Sequence, residues 1–242
     1  MTEVPSARPS LLEIEDVTVA YGRTRALSGV TLSVGAGTVV AVAGGSGAGK
    51  TTLLRAVSGL LALHGGRITR GRVTLDGRSL VALPAAKVVR LGVACVLEGR
   101  RVFRDLTVEE NLRAGAFVLR RRAEVRAAVE RVLDQLPLLA RRRDTEAGYL
   151  SGGEQQLLVL GRALVRSPRL LLLDDPALGL APVAVDTVAE VVSSAARNGT
   201  GVLLAERRAT GYGEAGVMAR ACGAEVVALD APMPADVRTA AP

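Results

Sequence analysis

Between Gly44 and Thr52 the chain reads GGSGAGKTT, with Gly44, Gly49, Lys50 and Thr51 at the fixed places of G-x-x-x-x-G-K-[ST]. The chemistry such a stretch serves is the cradling of a triphosphate. Gly44, Gly45, Gly47 and Gly49, separated only by Ser46 and Ala48, let backbone N–H groups turn inward around phosphate oxygens. A helix beginning behind them adds the positive end of its dipole. Lys50 would reach the β and γ phosphates, and the Thr51 hydroxyl, followed by Thr52, would ligate Mg²⁺. Two further stretches carry chemistry. Arg169 to Pro176, RLLLLDDP, is an apolar run ending in two carboxylates. If the run is a buried strand, its C-terminal edge brings Asp174 to Mg²⁺ beside Thr51 and Asp175 to the attacking water. Without the phosphate loop, the same pair reads as a polar strand end. Leu150 to Gln156, LSGGEQQ, places Ser151 and Glu154 at the N-cap and N3 of a capping box, with Gly152 and Gly153 between them. A capped helix N-terminus is also an anion site, so a structural and a binding reading coexist there.

These residues need a scaffold, and the patterning supplies one. Leu11 to Tyr21 alternates apolar and polar residues as a half-buried strand does, and Ala26 to Val34 reads as its partner. Thr38 to Ala43 is the strand feeding the phosphate loop, and Leu53 to Leu60 the helix behind it. A strand is expected at Gly71 to Leu75, a tight turn at Asp76-Gly77, a short helix at Pro84 to Leu91 and a buried strand at Gly92 to Leu97. Residues 98 to 105 are loop-like. From Thr107 to Arg166 the reading is almost wholly helical, and strand character returns at Arg169 to Asp174, Val202 to Ala205 and, weakly, Glu225 to Leu229. A helical block of about 107–166 within an α/β chain implies two lobes. Residues 1–9 and 231–242 read as loose tails around a domain at 10–230.

Bulk properties bound the function. The chain has 242 residues, 49% of them hydrophobic but only 2% aromatic, so aliphatic packing must dominate its core. It contains no run of 18 apolar residues and no secretory leader pattern, so a membrane link is expected only through a partner. The net charge of +7 is mostly arginine. That charge would favour nucleic acid, anionic lipid or nucleotide phosphate. The triplets Arg120–Arg122 and Arg141–Arg143 read as solvated helix ends. Cys95 and Cys222 form no C-x-x-C and are expected to be reduced, buried thiols.

The phosphate loop and LSGGE, in that order and separated as they are here, resemble the ATP-binding cassette (ABC) family over roughly Leu11 to Arg207. The resemblance implies a P-loop NTPase (RecA-like) α/β core with an antiparallel β subdomain and an inserted α-helical subdomain. It implies ATP and Mg²⁺ as ligands, and two cassettes joined head to tail. Each ATP would lie between one chain's phosphate loop and the other's Ser151, Gly152, Gly153 and Glu154. Tyr21 would stack on adenine. The strings EGRRVFRDLTVEEN, Glu98 to Asn111, and LGLAP, Leu178 to Pro182, are similar to branched-chain amino acid importer ATPases of the type with Glu, here Glu98, at the loop that senses the membrane partner. Such a chain would sit on the cytoplasmic face of the cell membrane against transmembrane permease subunits. No specific nucleic acid is implied, since the chain has one cassette and no long coiled-coil insertion.

Three departures qualify the resemblance. The family's general base is a glutamate, and here it is Asp175, about one ångström short; a misplacement of that size costs on the order of 100-fold in rate. The family's switch histidine corresponds, without gaps, to Arg207, which stays protonated and cannot shuttle a proton; it would instead pair with Asp175 or touch the γ-phosphate. The single histidine, His64, reads as an exposed turn residue. Ala209 to Leu229 is shorter than the family's usual ending. Together these imply a weakened site of the chain's own and an intact LSGGE, as in a heterodimer whose partner supplies the stronger site. The alternative is an ATP-binding module with degenerate hydrolysis.

Overall fold

The computed structural model describes residues 10–207 and 216–229. The tails expected at 1–9 and 231–242, and 209–215 of the shortened ending, lie outside the described residues.

Two sheets form the frame. The first is antiparallel: β1 (Ser10–Tyr21), β2 (Thr24–Gly35), β4 (Gly66–Leu75) and the short β5 (Arg78–Ser79), in the order β2-β1-β4-β5. Alternation in β1 buries Leu12, Ile14, Val17 and Val19 on one face, with a shift of register after Ile14 around Asp16. The second sheet is parallel throughout, in the order β6-β7-β8-β3-β9, from β3 (Val39–Gly44), β6 (Val93–Val96), β7 (Leu170–Asp174), β8 (Gly201–Arg207) and β9 (Glu225–Leu229). Its strands are apolar runs because helices or the other sheet cover both faces; all five residues of β7 are buried.

The helix α1 (Lys50–Ser58) follows β3 through the glycine-rich turn, and α2 (Ala85–Arg90) precedes β6. Between β6 and β7 lie α3 (Val108–Gly115), α4 (Arg122–Gln135), α5 (Pro137–Ala140) and α6 (Gly152–Leu164). Leu112, Val129, Val132, Leu136, Leu157 and Leu160 join one buried cluster with Val96 and Leu171 of the parallel sheet. This block is not continuously helical. Residues 116–121 and 141–151 break it, the second break holding only a 3-10 turn at Ala147–Tyr149. Thr145 accepts the backbone N–H of Val108 there, and Glu146 bridges Thr107 as in a strand pair. These long-range backbone bonds override the local helical pattern. Likewise β4 begins five residues before the expected strand, its first half pairing with the end of β1.

The helix α7 (Pro182–Arg197) has no counterpart in the sequence reading. Its signals are present nonetheless: Pro182 at the first helical turn, and Val185, Val188, Ala189, Val192, Ala195 and Ala196 buried at helical spacing. The last helix, α8 (Val217–Ala221), leads into β9, which runs beside β3 as the sheet's edge.

Candidate nucleotide-binding site

The turn from β3 into α1 is held in shape by what its glycines lack. At Gly49 φ is +90°, a left-handed conformation, and a Cβ there would overlap Leu27 and lie 2.5 Å from the Ala26 carbonyl oxygen. At Gly44 a Cβ would lie 2.7 Å from the Leu229 carbonyl oxygen and 2.9 Å from the Ala48 Cβ. Gly45, Ser46 and Gly47 are exposed and Ala48 is buried beneath them. The start of α1 has no side-chain cap and no acidic residue in its first turn. Its leading N–H groups face the loop with the helix dipole behind them. Lys50, only 7% exposed, folds back so that Nζ donates to the carbonyls of Gly44 (2.9 Å) and Gly45 (2.8 Å). The ammonium is thus already lodged in the mouth of the loop.

The acidic strand end meets this loop. The Thr51 hydroxyl donates to Asp174 Oδ1 at 3.3 Å, joining residues far apart in sequence. Burial pushes the Asp174 carboxyl above the usual carboxylate range; the Thr51 bond opposes this, and the charges of Asp175 and Glu98 add to it. A hydroxyl and a buried carboxylate pressed toward its neutral form make a donor set that a hard divalent cation fits, since the cation's charge would restore the ionised carboxylate.

Asp175 lies one residue on, in a left-handed conformation with φ 44°, which short polar residues tolerate. Its N–H donates to the Ala205 carbonyl at 2.9 Å. Its carboxylate accepts the backbone N–H of Arg207 (3.1 Å) and the Arg207 Nε–H (3.4 Å). The guanidinium also lies 3.8 Å from Glu98. The register of Arg207 is fixed by β8, in which it pairs with Gly44. Glu98, Asp175 and Arg207 close one cavity of about 240 Å³ with Ser46 to Thr52 of the loop. Tyr21 stands at its border: the ring packs against Gly66, and the hydroxyl is 3.4 Å from Thr52 Oγ1.

The LSGGE stretch is placed apart, outside the lining of that cavity. Ser151 Oγ accepts the Glu154 N–H (3.3 Å), and Glu154 accepts the Ser151 N–H (2.8 Å), completing the capping box of α6. The backbone N–H of Ser151 holds the Glu154 carboxyl below the usual range, aided by the Ser151 hydroxyl and by Arg142. Ser151 is exposed, and Gly153 lies against Ala184 of α7.

Three residues with a part in this geometry escape sequence reasoning. Arg100 has φ 43° and donates to the carbonyls of Leu178 (3.1 Å) and Gly179 (2.7 Å). Its guanidinium covers Gly152, where a Cβ would overlap it. Glu206, 6% exposed, accepts the N–H groups of Met218 (2.8 Å) and Ala219 (3.0 Å), tying the end of β8 to α8. Asn111, fully buried, accepts the Phe103 N–H and donates to the carbonyls of Phe103, Leu106 and Thr107. Only Asn111 left a sequence signal, as the one amide within the apolar stripe of α3.

Comparison with known proteins agrees with this geometry. A family model described as ABC transporter matches residues 27–178. The chain is 40% identical over 199 residues to the high-affinity branched-chain amino acid transport ATP-binding protein BraG of Pseudomonas aeruginosa, covering 82% of this chain and 83% of that one. It is 37% identical to the phosphate import ATP-binding protein PstB of Tropheryma whipplei, over 76% and 73% of the two chains. The lipopolysaccharide export system ATP-binding protein LptB of Haemophilus influenzae is 30% identical, over 81% and 80%. Among solved structures, the ADP conformation of MJ1267, an ATP-binding cassette of an ABC transporter, superposes with a TM-score of 0.74 at 27% identity, covering 83% of this chain and 82% of that one. The chain belongs to the ABC transporter family, as one of its ATP-binding subunits.

Proposed function

We propose that this subunit binds ATP with Mg²⁺ at the loop Gly44–Thr52 and hydrolyses it slowly, driving uptake of a small polar solute of the branched-chain amino acid class. The observation that carries the reading is the cavity in which the loop, Glu98, Asp175 and Arg207 converge. The loop's N–H groups and Lys50 would bind the phosphates, with Lys50 leaving its two carbonyl acceptors to do so. Thr51 and Asp174 would hold Mg²⁺, which neutralises charge on the phosphate oxygens when bound. Tyr21 would stack on the base. Asp175 would accept the proton of the attacking water, with Glu98 facing it across the cavity. Arg207 would supply positive charge beside the γ-phosphate.

Slow turnover follows from two features of Asp175. Its side chain is one methylene short of glutamate, and Arg207 already occupies both of its oxygens. That contact also favours a second reading, a module that binds ATP and mainly completes a partner's site through Ser151, Gly152, Gly153 and Glu154. Such importers commonly use two different ATPase subunits, so a heterodimer on the cytoplasmic face of the membrane, joined to permease subunits, fits both readings. No helix among the described residues is long and apolar enough to cross a membrane. The cargo reading is supported by BraG and by the probable branched-chain amino acid transport ATP-binding protein LivF of Archaeoglobus fulgidus, 35% identical.

Steady-state ATP turnover with Mg²⁺ tests the proposal, comparing the purified chain with Lys50→Ala and Asp175→Glu. Turnover above Lys50→Ala shows an enzyme. Turnover equal to it, with gain in Asp175→Glu, selects the second reading. Uptake of labelled leucine in cells lacking the chain tests the cargo.

A further inference from the structure

A second cavity, of about 550 Å³, backs onto the nucleotide cavity of about 240 Å³. Glu98 and Asp175 line both. Arg207 reaches each of them, at 3.8 Å and 3.4 Å. What these residues put between the cavities is therefore a set of paired side chains, which rotation can part.

Beyond them the charge changes sign. Arg100, Arg101 and Arg104 line the second cavity, and none of the three carries an ion pair among the described residues. Arg100 is held by the neutral carbonyls of Leu178 and Gly179, and Arg101 by that of Glu98 at 3.4 Å. The Arg104 guanidinium has no polar partner among the described residues. Gln156 of α6, only 6% exposed, lines the same cavity, and its side-chain amide is likewise without a hydrogen-bond partner among the described residues. A buried amide left unpaired is costly, and this one shares its cavity with guanidiniums that lack a counter-charge. Asp174 is the remaining carboxylate of the lining, and its Oδ1 accepts from Thr51 on the loop side.

We propose that this cavity binds the inorganic phosphate released from ATP, through the guanidiniums of Arg101 and Arg104 and the amide of Gln156. The inference rests on the reading of ATP hydrolysis at the Gly44–Thr52 loop, and it gives the product a site of its own. In that reaction the attacking water passes one proton to Asp175 while its oxygen bonds to the γ-phosphorus, and ADP leaves with the bridging oxygen. A tetrahedral oxyanion is then free beside Asp175, with ADP still on the loop. Its oxygens suit forked guanidinium donors and an amide N–H. Once Asp175 has shed the proton, its carboxylate and that of Glu98 repel the anion, while the arginines beyond them attract it. Phosphate seated there no longer competes with ATP for the loop.

The test titrates inorganic phosphate into the full chain saturated with Mg²⁺ and AMP-PNP, a non-hydrolysable analogue that fills the γ-phosphate position. Binding is read by ³¹P NMR line broadening and by calorimetry, and millimolar affinity is expected. Arg101→Gln with Arg104→Gln should weaken it by about tenfold, the loss of a charge-assisted bond. Arg101→Lys with Arg104→Lys should restore part of it, and Gln156→Leu should weaken it less than the Gln pair does. AMP-PNP affinity should stay unchanged in every variant, which shows that they fold. In steady-state turnover, phosphate should inhibit the wild type non-competitively with ATP, and the Gln pair less. Absence of binding to the AMP-PNP-loaded chain overturns the inference. So does binding undiminished in the Gln pair, which marks an adventitious ion only, or inhibition purely competitive with ATP, which places phosphate in the loop. A chain that turns over ATP without arginine-dependent phosphate binding fails this inference alone. A chain without turnover fails the hydrolysis reading and takes this inference with it.

Discussion

Two helices in this protein begin at glycine-rich motifs, and they treat their first N–H groups in opposite ways. The N-terminus of α1 is left bare: its N-cap is Gly49, no side chain accepts its amides, and its first turn holds Lys50 but no acid. The N-terminus of α6 is closed by Ser151 and Glu154, which satisfy one another reciprocally, with the Glu154 carboxylate over the positive end of the dipole. The amides of a bare end need partners from water or a ligand, and at α1 they border the cavity closed by Glu98, Asp175 and Arg207. A closed end is stable alone and has less to offer an anion until a second surface approaches. On the proposed function, the α1 end serves as a site within one chain and the α6 end as half of a site shared with a second.

The largest predicted effect that would break this contrast is at Gly49. Gly49→Ala combines a φ of +90° with overlap on Leu27 and Ala26, and should lower stability by about 3 kcal/mol, read from the urea midpoint. A soluble variant of wild-type stability would show the bare end is not locked by its backbone. Next, Lys50→Ala should weaken ATP binding by up to about 100-fold, the loss expected for a charge-assisted bond, measured by titration calorimetry. Ser151→Ala should cost about 1 kcal/mol of stability through the lost cap, while the ATP affinity of the monomeric chain stays where it was. A fall in that affinity would place the α6 end in the same chain's site and end the contrast.

The smallest effect concerns pH. The Glu154 carboxyl titrates below its ordinary value because the Ser151 N–H and hydroxyl favour its charged form. Its contribution is therefore fully present above the unfolded pKa of about 4.3 and is lost as pH falls through the lower folded value. Thermal melts of Glu154→Gln and wild type should differ near neutrality and converge in acid; parallel curves would deny the carboxylate this role.

What the sequence made legible follows the same division between local and distant causes. The strands β1, β3, β7 and β8 were readable because burial on one or both faces writes a period into the chain, and the loop because its glycines and Lys50 have no cheaper explanation. The break at 141–151 was not, because Val108 and Ala147 find their backbone partners at Thr145 and Leu106, which no window of sequence brings together. Helix α7 is legible in principle, since its stripe from Val185 to Ala196 meets the helical template. At the candidate site, Asp174 and Thr51 could be paired on paper through Mg²⁺ chemistry. The closure of Arg207 on Asp175 could be named only as one option, since it depends on the register of β8. Arg100 could not be found at all: its role comes from reaching the carbonyls of Leu178 and Gly179 across the fold.

The order of the parallel sheet has a consequence in time. The strand that carries the phosphate loop, β3, is flanked by β8 and β9, both from the last quarter of the described chain, and Leu229 packs directly on Gly44. During synthesis β3 emerges early and waits, without either neighbour, while the whole helical block is translated. Hydrogen bonding along both its edges must await the final strand, a pairing of high sequence separation that is slow to form. A ribosome-tethered fragment ending before Glu225 should therefore carry every residue of the GGSGAGKTT motif and yet be unable to retain nucleotide. The edge of the sheet beside the phosphate loop is complete only once β9 has paired with β3.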